Sequence, residues 1–83
     1  MKEAQKYVVV EEHDLEKVIV FSHLLTHKDV CGRLKVVSAG FCRLPDEDNN
    51  HVSAYGKSVT LGVDSRDEDA DLIMQQICPR DMY

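Results

Sequence analysis

The chain has 83 residues, fifteen acidic and ten basic, for a formal net charge of −5. At this length a chain forms one core, which removes only about 60–65% of the unfolded surface from water, so a single domain over residues 1–83 with loose termini at 1–6 and 79–83 is expected. The acidic balance disfavours direct nucleic-acid binding, and the longest apolar runs, 7–10 and 18–21, fall far short of the roughly 20 residues of a membrane span.

The first six residues lead into a four-residue apolar run and then Glu11-Glu12, which is not the pattern of a secretory signal. Cys31, Cys42 and Cys78 form no C-x-x-C pair and are odd in number, as expected of free thiols in a reducing compartment. A cytoplasmic location follows as the expectation.

Residues 7–12 and 18–21 are short β-branched runs separated by the polar segment 13–17, the pattern of an opening hairpin. A helix over 14–34 is the competing reading, but Val-Ile-Val-Phe is a poor helix interior. Thr26 is a helix cap with Asp29 three residues on, and Leu25 and Val30 stand at the positions of a hydrophobic staple, so a first helix is expected over 27–34. Gly32 weakens that helix or marks its end.

A third strand is expected over 36–44, a polar turn over 45–50, and a fourth strand over 52–59. Pairing Leu44 with His51 would set Gly40 opposite Tyr55, with the ring over the glycine. Ser65-Arg66-Asp67-Glu68 has the spacing of a capping box, followed by Ala70, Ile73, Met74 and Ile77 at helical spacing, which predicts a second helix over 66–77. Asp67, Glu68, Asp69 and Asp71 suit its N-terminal turns, and Pro79 follows its end. The expected fold is α+β: a ββαββα chain with a four-stranded, mainly antiparallel sheet and two helices packed on one face.

No set of residues completes a catalytic, cofactor or metal motif. Gly56-Lys57-Ser58 lacks the glycine of a phosphate-binding loop, since His51 occupies its place. His23, His27 and Cys31 share i, i+4, i+8 spacing, but His23 precedes the Thr26 cap and no fourth ligand is near, so no metal is expected. Cys42 with His51 would make a thiol and base without an orienting third group. The acidic run 64–71 lacks the Gly and Glu of an EF-hand and reads as a solvated helix start. Its functional reading is a docking patch of Asp64, Arg66, Asp67, Glu68 and Asp71, extended by Asp46, Glu47 and Asp48. Open strand edges are the other expected binding surface.

At Ser38-Ala39-Gly40-Phe41, at Tyr55-Gly56-Lys57-Ser58-Val59-Thr60-Leu61-Gly62 and at Ser65-Arg66-Asp67-Glu68-Asp69-Ala70, the chain resembles a loose group of short uncharacterised bacterial and prophage-type proteins. The resemblance covers about the last half of the chain and implies a bacterial or mobile-element origin, with no activity attached. The acidic insertion at 45–50 departs from the shorter turn of that group.

The resulting expectation is a non-enzymatic accessory protein without a cofactor, binding a protein partner or a second copy by a sheet edge or the acidic helix face. The alternatives are a small metal-binding or thiol-dependent enzyme using His23, His27 and Cys31, and an acidic inhibitor of a nucleic-acid-binding protein.

Overall fold

Strand β1 (Gln5–Glu12) and strand β2 (Leu15–Phe21) form the opening hairpin, in a computed structural model that describes residues 4–45, 51–59 and 61–77. The turn is tighter than the polar segment 13–17 suggests. His13 and Asp14 alone make it, both at positive φ (55° and 65°), so that Glu12 faces Leu15. Two consecutive left-handed residues match the twist of the flanking strands, and His and Asp are among the non-glycine residues that tolerate this conformation best.

Helix α1 (His27–Cys31) starts as its sequence dictates. Thr26 Oγ1 accepts from the Asp29 N–H at 3.0 Å, and Asp29 Oδ2 accepts from the Thr26 N–H at 3.1 Å, a complete capping box. It ends earlier than the expected residue 34, because Gly32 takes φ 57° and closes the helix through its N–H to the Lys28 carbonyl. Strand β3 (Lys35–Arg43) then pairs antiparallel with β1 on the side away from β2, and strand β4 (Ser53–Tyr55) pairs with β3. The sheet order is β2-β1-β3-β4, and the α+β class and ββαββα order stand.

The fourth strand is shorter than expected and in another register. Phe41, not Gly40, faces Tyr55, while Gly40 lies opposite Tyr7. Beyond Tyr55 the chain bends at Gly56 (φ 77°) into a separate small hairpin, strand β5 (Lys57–Ser58) with strand β6 (Val63–Asp64). That bend crosses Gly40 closely: a Cβ there would sit 2.5 Å from the Tyr55 carbonyl oxygen and 3.1 Å from Ser65 Cβ. Gly40 thus makes room for backbone rather than for the tyrosine ring.

The helices cover opposite faces of the sheet, not one. Tyr7, Val8, Val9 and Val10 are all buried, and successive residues of a strand point to opposite sides. Val8, Val10 and Ala39 pack with Cys31 of α1 and with Leu61 and Val63 of the small hairpin. Tyr7, Val9, Val18 and Cys42 pack with Ile73 of helix α2 (Asp69–Gln76). A bulge where Val9 and Val10 meet β3 turns both Val37 and Ser38 toward the α2 face. The residues 46–50 of the expected acidic turn, together with Cys78 and Pro79, lie outside the described residues.

Gly40→Ala should lower stability by about 1–3 kcal/mol, because backbone of the crossing segment must move to admit a methyl group. Urea unfolding of the variant measures it, and an unchanged midpoint would contradict the close approach.

Candidate functional site

The densest polar assembly sits where α2 begins. Asp69 is fully buried and accepts three hydrogen bonds, two on one carboxylate oxygen and one on the other. Oδ2 accepts from the Tyr7 hydroxyl at 2.6 Å and from the Arg66 backbone N–H at 2.9 Å. Oδ1 accepts from Arg66 Nε at 2.9 Å and forms an ion pair with Nη2 at the same distance. The same guanidinium reaches across to β2, where Nη2 and Nη1 meet Glu16 Oε1 and Oε2 at 2.9 and 3.3 Å, and it has Glu68 at 3.5 Å. A buried carboxylate is costly unless it is hydrogen-bonded and charge-paired, and here both oxygens accept hydrogen bonds beside the guanidinium.

This assembly corrects the expected start of the second helix. The capping box does not form at Ser65 and Glu68: Glu68 stands at the cap position without a side-chain cap bond. Asp69 instead bonds back to the Arg66 N–H, as the third-position residue of a box does, one residue later in the chain. The buried stripe rotates with it. Asp69 and Ile73 are buried and Leu72 packs on the core, whereas Ile77, expected inside, is 39% exposed. Asp69, read as solvated, lies in the interior.

The far end of α2 is tied to the same residue of β2. Gln76 Oε1 accepts from the Val18 N–H and Gln76 Nε2 donates to the Glu16 carbonyl, each at 2.9 Å. Glu16 is therefore gripped twice, by its carboxylate through Arg66 and by its carbonyl through Gln76. The Gln76 amide meets the outward edge of β2 as the main chain of a neighbouring strand would.

Of the proposed docking residues, Asp64, Asp67, Glu68 and Asp71 are exposed, the last three around the N-terminal end of α2, while the Arg66 side chain is only 24% exposed and engaged inward. Among residues considered for chemistry, His27 is buried, with Nε2 2.8 Å from the Gly40 carbonyl oxygen and its ring edge-on to Phe21 and Phe41. Cys31 is buried one turn further along α1, and exposed His23 precedes the Thr26 cap. Among the described residues, no group of three or more His, Cys, Asp or Glu is placed to hold a metal ion. Cys42 is fully buried beneath α2, and His51 is exposed.

On the α1 side, the turn end of the β1–β2 hairpin is left open. Val10, Leu15, Ile19 and Leu34 line a groove of about 680 Å3 that continues past Glu16 to Gln76. Leu15 is 66% exposed and Leu34 43%. A five-residue helix is only about 7.5 Å long, against about 27 Å for an eight-residue strand, so α1 cannot cover this end. The sequence gives no local signal for Gln76, whose bonds to β2 span 58 and 60 residues, or for the groove, which depends on how the hairpin packs against the segment after α1. Tyr7, a polar-tipped residue inside an apolar run, is the one sequence hint of the buried network. No protein-family model matches the chain, and no curated protein or solved structure matches it significantly.

Burial, then the hydrogen bond to Asp69, raises the Tyr7 phenol above its ordinary 10.0. The folded protein keeps this proton where the unfolded chain loses it, so the Tyr7 contribution is complete below pH 10.0 and declines as pH rises above it. Tyr7→Phe should cost about 1.5–3 kcal/mol at neutral pH and flatten the alkaline decline, as denaturant midpoints across the alkaline range will test. At the acid end, the Arg66 hydrogen bond holds Glu16 below its ordinary 4.5. Its contribution is present above pH 4.5 and lost as pH falls through the lowered value, and Glu16→Gln should remove that part of the acid dependence. An unaltered acid profile in Glu16→Gln would show that the pair adds nothing to folding.

Proposed function

We propose that this chain is a non-enzymatic interaction module that binds a protein partner through the edge of its sheet and the acidic start of α2. The observation that carries the reading is the division of labour among its polar side chains. Tyr7, Arg66, Asp69 and His27 are engaged internally, whereas the surface presents Leu15 and Leu34 beside an outer strand and Asp67, Glu68 and Asp71 around a helix start. Docking surfaces of this kind combine an apolar centre with a charged rim. A cytoplasmic accessory role, phage- or prophage-encoded, agrees with the sequence resemblance over the second half of the chain.

The reading as a metal or thiol enzyme draws little support, because His27 Nε2 is engaged by the Gly40 carbonyl and Cys31 and Cys42 are buried. The reading as an acidic inhibitor of a nucleic-acid-binding protein is a special case of the same acidic face.

Retention of bacterial proteins on the immobilised chain tests the proposal when wild type is compared with Asp67→Lys/Glu68→Lys/Asp71→Lys. A species held by wild type, released by salt and lost in the triple variant is the expected result. Identical retention by both proteins removes the acidic face from the proposal, and a stoichiometric metal in the native mass spectrum would replace it with the metal-dependent reading.

A further inference from the structure

Within the interaction reading, on which this inference rests, the β2 edge shows what kind of partner it fits. Edge strands expose unpaired N–H and C=O groups, and alternate residues turn theirs outward together. Glu16 and Val18 are such residues, since Gln76 bonds one group of each, and Val20 is the next in the series. Gln76 is an exposed side chain on the last residue of α2, so an incoming strand can displace its amide without unfolding the core.

We infer that the β2 edge is a strand-docking site which Gln76 occupies as a removable plug, and that its occupant is an extended peptide alternating apolar and basic residues. The two faces of the edge dictate that alternation. A strand laid along β2 sends every second side chain to the α1 side, over the groove of Val10, Leu15, Ile19 and Leu34. The intervening side chains fall on the α2 side, where Glu16, Glu68 and Asp69 surround the single guanidinium of Arg66 and leave negative charge in excess. On the groove side the Lys17 ammonium, held by Glu12 at 2.9 Å, disfavours a second cation and suits apolar side chains.

The probe is a capped octapeptide of alternating lysine and valine, titrated into the isotope-labelled full chain with amide shifts read by NMR. Saturable shifts at Val18 and Val20 are expected, with binding roughly fivefold to tenfold tighter for Gln76→Ala, which removes two competing hydrogen bonds. Leu15→Lys/Leu34→Lys should weaken it by at least the same factor. If Gln76→Ala folds poorly by circular dichroism, Gln76→Glu serves: it keeps the acceptor for Val18 and loses the donor to Glu16.

Absence of saturable binding to wild type and to the folded Gln76 variant would overturn the inference. So would equal binding of an alternating glutamate–valine peptide, or a dimer of the Gln76 variant in the native mass spectrum, which would make a second copy the occupant. If the peptide fails while reversal of Asp67, Glu68 and Asp71 still abolishes partner retention, the interaction reading stands on the acidic face and only the edge inference falls.

Discussion

A carboxylate placed inside a protein this small must be matched donor for donor, and the way Asp69 is matched fixes the rest of the α2 side. Its three hydrogen-bond donors and its ion pair come from Tyr7 in the middle of the sheet and from Arg66 just ahead of the helix. Arg66 in turn reaches the outer strand through Glu16, so the chain of bonds runs from a central strand through the helix start to the sheet edge. A helix pinned at its first residue has little freedom in rotation. With Asp69 inward, Leu72, Ile73 and Gln76 follow on the same face at i+3, i+4 and i+7, and Gln76 arrives at β2.

The magnitudes explain why this arrangement overrides the local sequence signal. A side-chain cap is worth about 1 kcal/mol, whereas leaving a buried charge unpaired costs several. The capping box at Ser65 and Glu68 therefore gives way to the satisfaction of Asp69 one residue on, and Ile77 is sacrificed to exposure. Where no such competitor exists the local signal decides: Thr26 and Asp29 form their box, and Gly32 ends α1. The opening hairpin and the order of elements were readable in the sequence for the same reason, since they rest on residues close along the chain.

What the sequence concealed depends on long-range fit. The apolar run 7–10 signals burial on both sides of its strand, yet a pattern of two short helices suggested a single covered face. The register of β3 and β4 was set not by Tyr55 covering a glycine but by the chain leaving the sheet at Gly56 and passing over Gly40. Of the docking residues, the exposure of Asp64, Asp67, Glu68 and Asp71 follows from composition alone, while the inward turn of Arg66 requires knowing where Glu16 and Asp69 lie.

A two-sided sheet in so short a chain has unequal covers, and the inequality bears on function. The α2 face is closed by a helix held at both ends, by Arg66 and by Gln76. The other face is shared by a helix of five residues and a hairpin of two-residue strands, which together stop short of Leu15 and Leu34. Helix α1 stops at Gly32, and the apolar groove lined by Leu15 and Leu34 lies beyond its cover. The same strand that borders the groove has its outward groups met by a side-chain amide instead of by backbone. Gln76 thus occupies two of the outward groups of β2, and any further strand pairing there has to break those two hydrogen bonds first.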